Sequence, residues 1–560
     1  MRTEQNPSEL TTWVMAAALC VFVLGAYCLL PCRSPNGDNI GYFLTAQSLI
    51  EEGNFDLDEF NSPCFDITTI RHGVHRYSLY PIGPTVVLYP FFLFMRALGI
   101  SIAAETLAAF VAKLFMALTS AVLFMVFARI VNRAWALILS LGFAFASPVF
   151  SNCASEYWSH APAILFASIS IYAAMQRSSV ISALVLGFAS ALAVLSRPQV
   201  GIGIAALLLY WLSYQSLRRW AIFAAPIILI AISWGLLGIA ICGDPLGPYV
   251  LRHNESPGFG DPALWSFLLS PSRGLLVYFP LSALALYIAL RDLAFLPRSI
   301  WRRLRSAWNR LANHPMPEMN RLSIDDLRSA SGIAVVGGIL MYASYFNWTG
   351  GWCYGNRFTS DLSPWILIQC AALLRELRES KWLRVTALAL LSLGFLINLP
   401  GAIDGYADWC WATDLTDNWS LERSQVYCSW LGLLGLSNVQ LSIQVEAEAK
   451  YDRLDQLWAV VRLDNPTRTR YTRSWMAVWG RDRDTEPFEF CRVIEGPSGI
   501  IYHGDRRSLN IPMNGFLDTC SHSEVKVEFA FTNESLERVS NIAAIIIERE
   551  IASDRESDSD

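Results

Sequence analysis

The chain has 560 residues, of which 53% are apolar and only 16% are charged, and its mean hydropathy is positive at +0.35. Soluble globular proteins carry about a quarter charged residues, so this composition excludes an ordinary soluble protein. The formal net charge of −5 gives no indication of a nucleic-acid partner.

Apolar runs follow one another through residues 11–402, whereas residues 403–560 read like a soluble domain. A helix needs about 20 apolar residues to cross a bilayer core. The first run lacks a basic leading segment and a clear cleavage site, so we interpret it as a retained helix rather than a signal peptide. In chain order, the predicted spans are 12–30, 105–126, 134–150, 160–175, 180–195, 201–214, 220–242, 275–290, 331–346, 362–374 and 385–400.

Residues 82–98 are apolar but contain Pro84 and Pro90, and Arg96 lies near their end. We interpret this stretch as a short interfacial helix. The arginine-rich loops then all lie on one side, which the positive-inside rule assigns to the cytoplasm. The sequence therefore predicts about eleven spans in the inner (plasma) membrane, with the N-terminus cytoplasmic and the C-terminus extracytoplasmic.

The predicted fold is a polytopic α-helical membrane domain, residues 1–402, with a first outer loop at 33–81. Short alternating runs at 439–445, 458–463, 500–503, 525–531 and 542–548 are separated by turn residues. This period-two pattern predicts a mainly-β extracytoplasmic domain over 403–552. Residues 553–560 are acidic and polar, which is typical of a disordered tail.

The first outer loop places Asp38 just beyond the first span. A carboxylate at the lipid–water boundary gains basicity by partial desolvation, so it suits a general base that takes a proton from a hydroxyl. The alternative interpretation is that Asp38 caps the amphipathic helix that follows.

Four arginines lie next to helix ends on the same predicted face, although that face is the less basic one. Arginine matches the geometry of phosphate, so this group indicates an anionic ligand such as a lipid-linked phosphate. A single such residue would be ordinary snorkelling. The four are Arg197, Arg252, Arg273 and Arg357.

Two outer segments are rich in glycine and aromatic residues: 269–280 and 347–358, the latter with Trp352 and Tyr354. Flat aromatic faces suit sugars, but an interfacial belt has the same composition. In the outer segment 151–159 and the helix start after it, Glu156 and His160 are four residues apart, as in an acid–base pair or an acceptor site, or as in a helix cap.

A metal is not indicated as a cofactor, although a divalent ion remains possible. The first outer loop contains Cys64, Asp66, His72 and His75, but their spacing fits no strong zinc signature.

These motifs resemble the GT-C superfamily of membrane glycosyltransferases, in particular its protein O-mannosyltransferase and aminoarabinose transferase branch. The resemblance covers residues 12 to about 400. It is carried by Asp38 in the first loop, by Tyr-Pro-Ile-Gly-Pro at 80–84, by Ser-Arg-Pro at 196–198, and by Arg357 ahead of Pro364.

The resemblance implies transfer of a monosaccharide from a polyprenyl-phosphate carrier to a glycan, lipid or protein acceptor, with inversion at the anomeric carbon. Asp38 would be the catalytic base, and Arg197, Arg273 and Arg357 would contact the donor phosphate. Six residues would bind substrate: Tyr42, Tyr80, Glu156, His160, Trp352 and Tyr354.

One departure concerns the residue after Asp38. Many relatives have Asp-Glu at this motif, whereas here Asn39 follows. This leaves open whether a metal takes part, and whether Asp56, Asp58 or Glu59 supplies a second carboxylate.

Two alternatives remain. A lipid or solute transporter usually carries several charges within its spans, whereas the sequence here has only one clear mid-span charge, Lys113. A polysaccharide polymerase or O-antigen ligase also uses outer arginines, but it relies on a large late loop rather than on an aspartate in the first loop.

Overall fold

A computed structural model describes residues 9–31, 39–60, 68–249, 263–293, 301, 305, 322–345, 347–351, 353–403, 419, 421 and 424–433, and the backbone of nine strands after residue 443. The chain divides into two compact units: residues 1–407 with 417–429, and residues 408–416 with 430–560.

The first unit is helical because its long apolar runs satisfy their backbone hydrogen bonds within each helix. Its helices, in chain order, are α1 Glu9–Cys28, α2 Ile40–Glu51, α3 Gly83–Ala97, α4 Ala104–Phe127, α5 Arg133–Phe145, α6 Pro148–Asn152, α7 His160–Ala174, α8 Val180–Ser196, α9 Gly201–Leu212, α10 Leu217–Cys242, α11 Leu264–Leu269, α12 Leu275–Tyr278, α13 Ser282–Leu293, α14 Ile324–Ser344, α15 Ser363–Glu376 and α16 Lys381–Ile403, followed by α17 Gln425–Leu433, which begins in this unit. A hairpin of β1 Thr69–His72 and β2 His75–Ser78 precedes α3.

Among the described residues, six helices are long and apolar enough to cross a membrane: α1, α4, α5 with α6, α10, α14 and α16. Helix α4 lies at the centre of the unit, since 78% of its apolar window is buried, whereas only 11% of the window of α10 is buried. The shorter apolar helices are α3, α7, α8 and 198–212. The protein therefore has the character of a helical membrane protein.

Most helix bounds lie within a few residues of the predicted spans, but the run 275–290 behaves differently. It forms α12 and α13, with a break between Tyr278 and Ser282 around Pro280. Proline lacks the N–H that continues a helix, and it disfavours helical geometry in the residue before it.

The strands of the second unit are β3 Gln444–Tyr451, β4 Leu457–Asn465, β5 Thr469–Tyr471, β6 Arg473–Arg481, β7 Glu489–Gly496, β8 Gly499–Ile501, β9 Asp505–Pro512, β10 Glu524–Thr532 and β11 Ala543–Glu548. They pair in the orders β11-β10-β6-β7, β3-β4-β9 and β5-β8, and all these pairings are antiparallel.

Candidate functional site

The start of α3 joins three segments of the first unit at one place. Gly83 packs against the C-terminal end of α8 so closely that a Cβ atom would lie 2.4 Å from the backbone nitrogen of Ser196. The Pro84 carbonyl accepts a hydrogen bond from the Tyr157 hydroxyl at 2.7 Å, and Thr85 donates to the Tyr42 carbonyl at 3.1 Å. The Tyr-Pro-Ile-Gly-Pro motif thus brings α2, the 155–160 segment and the end of α8 together.

The first loop contacts this place through Asn39. Its amide Nδ2 donates to Glu156 Oε1 at 2.6 Å, and both side chains are buried. Asp38, the predicted base, directly precedes Asn39 in sequence but lies outside the described residues.

His160, four residues after Glu156, belongs to a buried ion-pair network. Arg197 Nε donates to Asp361 Oδ2 at 2.5 Å, and His160 Nδ1 lies 2.8 Å from Asp361 Oδ1. The Tyr342 hydroxyl also donates to Asp361 Oδ2. Both carboxylate oxygens of Asp361 are therefore used, which is how a buried charge is tolerated.

The electrostatics of this network keep it charged. Burial by itself raises the pKa of the Asp361 carboxyl, but the positive charge of Arg197 and the hydrogen bond with His160 outweigh it, so the pKa lies well below its ordinary value. Burial lowers the pKa of Arg197, and the facing carboxylate more than restores it. Asp361 therefore stays ionised and Arg197 protonated at neutral pH.

Arg357 extends the cluster. Its guanidinium lies 4.1 Å from the ring centroid of Trp158, and it is only 9% exposed. The Arg197 guanidinium, which is 8% exposed, lies 5.1 Å from the ring of Phe358. Two guanidinium groups thus lie against aromatic faces in a largely desolvated setting, where cation–π attraction is stronger than at a surface.

Several buried polar atoms of this cluster and its chain neighbours have no hydrogen-bond partner among the described residues. Native proteins pair such atoms with protein, water or ligand. Such atoms in and next to the cluster leave it capacity to bind a polar molecule or water. They are Asn39 Oδ1, Ser155 Oγ, His160 Nε2 and Ser196 Oγ.

Arg273 and Tyr354 make hydrogen bonds that fix the backbone just before Arg357. Arg273 is fully buried and its Nη1 donates to the carbonyls of Cys353 and Gly355 at 2.7 and 2.5 Å. The Tyr354 hydroxyl donates to the Ile397 carbonyl at 2.8 Å. Both side chains hold the backbone that leads into Arg357.

The other predicted substrate-binding residues that the structure describes lie in two places: the Tyr42–Tyr80 contact and the polar cluster. Tyr42 is buried and Tyr80 is half-buried, and their ring centroids are 6.0 Å apart in an edge-on contact. Glu156 and His160 belong to the cluster itself. Trp352 lies outside the described residues.

An apolar cavity of about 380 Å³ adjoins the segment that carries Arg197. It lies between the start of α3, helices α8, α9 and α10, and the loop after α10. Pro198, directly after Arg197, lines it, as do Trp234 and Tyr249. The Tyr249 hydroxyl accepts a hydrogen bond from Gln199 at 2.6 Å. The charged cluster, which contains Arg197, and the apolar cavity, which Pro198 lines, are therefore adjacent along the chain.

Sequence reasoning missed Asp361, Tyr342 and Trp158. Asp361 is a carboxylate four residues after Arg357 at the start of an apolar helix, a signal that was present in the sequence. Tyr342 and Trp158 resemble ordinary interfacial aromatics, so their pattern carries no separate signal.

No protein-family model matches this chain, and a search of curated proteins finds no significant match.

Proposed function

We propose that this protein is a GT-C-like glycosyltransferase that moves a monosaccharide from a polyprenyl-phosphate donor to an acceptor on the extracytoplasmic face. The observation that carries the proposal is the arrangement of Arg197 and Arg357 in a buried polar cluster next to an apolar cavity. Such a site suits an amphipathic ligand with an anionic head and a hydrocarbon chain.

The two arginines supply different parts of phosphate binding. Arg197 commits its Nε to Asp361, and its Nη1 lies 3.3 Å from Ser159 Oγ, a contact that a phosphate oxygen can replace. Arg357 presents a planar guanidinium stacked on Trp158. Arg273, the third predicted phosphate ligand, contributes by fixing the 353–355 backbone.

The proposed step is a single inverting displacement. Asp38 accepts the proton of the acceptor hydroxyl while the oxygen of that hydroxyl bonds to the anomeric carbon. The bond from that carbon to the phosphate oxygen breaks, and polyprenyl phosphate leaves as an anion. Such a leaving group needs electrostatic stabilisation by cations more than it needs a general acid.

The proposal includes the predicted topology of about eleven spans, with the N-terminus cytoplasmic. The polar cluster then faces the extracytoplasmic side of the inner (plasma) membrane, where cell-envelope glycosylation takes place. Residues 403–552 form the extracytoplasmic β-rich domain in this scheme, and a fold of that kind does not by itself define a function.

The test is sugar transfer by protein purified in detergent, with labelled polyprenyl-phosphate sugars as donors and a membrane extract as acceptor. We compare the wild type with Asp38→Asn and with Glu51→Gln, which removes an exposed carboxylate of α2. Label transfer by the wild type and Glu51→Gln but not by Asp38→Asn supports the proposal.

Other outcomes separate its parts. Equal transfer by Asp38→Asn keeps the enzyme class and removes Asp38 from the step. Extension of a growing polysaccharide rather than addition of one sugar favours the polymerase or ligase alternative. The absence of transfer from every donor by folded protein contradicts the proposal and favours a transporter.

A further inference from the structure

The first outer loop contains a three-stranded arrangement. Asp56 forms an antiparallel bridge with Tyr77, and the Leu57 amide donates to the Arg76 carbonyl at 2.8 Å. Residues 56–58 therefore run beside β2, while β1 pairs with its other edge. Strand β2 is the middle strand.

Register places four metal-binding side chains on one face of this arrangement. His75 is paired with His72 in β1, and extension of the Asp56–Tyr77 bridge places Asp58 opposite His75 on the other side. Asp56 shares the face because side chains two residues apart point the same way. The paired arginines at 71 and 76 fall on the opposite face.

The nitrogen and oxygen atoms that would bind a metal are close enough to share one ion. His75 Nδ1 lies 2.8 Å from Asp58 Oδ2 and 3.6 Å from Asp56 Oδ2, and all three ligand atoms lie within 4.8 Å of one another. Ligands bound at about 2.1 Å, as zinc binds nitrogen and oxygen, stand about 3.4 Å apart in the tetrahedral geometry that zinc prefers. The observed distances bracket this value.

The backbone holds these ligands in advance. The Arg76 amide donates to Asp58 Oδ1 at 2.9 Å, so Asp58 keeps its second oxygen for the shared face. Gly73 has a φ of +64°, which permits the two-residue turn that brings the two histidines opposite each other. Only Asp56 of the three close ligands is buried, and His75 remains half exposed, so an ion has a path of entry.

We propose that Asp56, Asp58 and His75 bind one first-row divalent cation. Imidazole with carboxylate favours zinc over magnesium, which prefers oxygen ligands and retains its water. Two carboxylates beside a single imidazole carry a charge that a dication balances. The ion fastens the segment after α2 to the hairpin, and this inference does not rest on the glycosyltransferase proposal.

The experiment measures zinc retained by chelator-stripped full-length protein after addition of zinc and dialysis, using elemental analysis. We expect one zinc per chain, undisturbed by excess magnesium. Loss of a ligand in His75→Ala or Asp58→Asn should weaken binding about tenfold or more. Glu379→Gln, which removes an exposed carboxylate elsewhere, should retain the full zinc content.

Folding is checked by an unchanged melting temperature of each variant in chelator, and His75→Gln provides a replacement that keeps a hydrogen-bonding side chain. The wild type gives a second measurement, since bound zinc should protect His75 from carbethoxylation as read by mass spectrometry. The site is overturned if the wild type retains no zinc, if magnesium displaces the zinc, or if folded His75→Gln retains as much zinc as the wild type. Equal labelling of His75 with and without zinc also overturns it.

Discussion

The contact between Gly83 and the end of α8 offers a sharp test of how the site is built. In Gly83→Ala, the new methyl group would lie 2.4–2.5 Å from Ser196 N, Leu195 C and Ser196 Cα. Ordinary contacts of a Cβ atom are 3.4–4 Å. The backbones of α3 and α8 must therefore separate by about 1 Å, because no flexible side chain is present to yield.

Overpacking of this kind costs about 1–3 kcal/mol, and a backbone clash belongs near the upper end. At roughly 2–4 °C per kcal/mol for a large domain, a cost of about 2–3 kcal/mol should lower the melting temperature by about 4–12 °C. The displaced α3 would also pull the Pro84 carbonyl from the Tyr157 hydroxyl. Transfer activity should therefore fall more than stability alone explains.

The assay is thermal unfolding in detergent, followed by intrinsic fluorescence, together with the transfer assay at a temperature where both variants are folded. Gly25→Ala is the matched control, because a Cβ at Gly25 in α1 meets nothing within 4 Å. Its melting temperature should be unchanged or slightly raised, since alanine favours a helix. Equal melting temperatures for Gly83→Ala and Gly25→Ala would refute the close approach of α3 and α8.

Three further predictions concern the polar cluster. Asp361→Asn leaves Arg197 buried without its carboxylate and should destabilise the protein by about 3–5 kcal/mol. Because the pKa of Asp361 is lowered in the folded protein, its stabilisation is complete above its ordinary pKa of 3.8 and is lost as the pH falls through the folded value. Thermal unfolding of both proteins from about pH 8 to pH 5 should thus show a constant difference, and a difference that shrinks over that range would contradict the ion pair. Arg357→Lys keeps the charge but loses the stacked fork over Trp158, so transfer should fall about tenfold with the melting temperature little changed; wild-type transfer rates would argue against the stacked guanidinium. Asn39→Asp sets a carboxylate against Glu156, so we expect it to lower the melting temperature. The added change Glu156→Gln should restore the melting temperature. Additive effects of the two changes in the double variant would rule out a contact between residues 39 and 156.

The helices could be predicted from the sequence because apolar length is a local property. The predicted run 105–126 differs from α4 by one residue at each end. The break near Pro280 was predictable in principle, yet the run 275–290 is apolar on both sides of it, and hydropathy does not register a missing backbone donor. The strands β5, β6, β7 and β9 were not anticipated, since their sequences do not alternate clearly.

The site could be predicted only in part. The positive-inside rule predicts that Glu156, Arg197 and Arg357 lie on one face. The structure brings the three into one region through Asn39, Asp361 and Trp158. Which partner each residue takes was not predictable. Arg197 and Asp361 are 164 residues apart in sequence, and their pairing depends on tertiary packing that brings the end of α8 to the segment before α15. Tertiary pairing of this kind leaves no periodic signal.

The Asn39–Glu156 contact gives a physical reason for an amide rather than a glutamate at position 39. A glutamate at position 39 would set a second carboxylate close to Glu156 in a buried place, where like charges repel strongly and neither is solvated. The amide of Asn39 donates instead, so the pair is stable with one negative charge. The carboxylate next to Asn39 thus comes from the 155–160 segment, which also contributes Trp158 and His160 to the cluster. The first loop and this segment should therefore be read as one unit, in which a change at residue 39 is tolerated only with a matching change at residue 156.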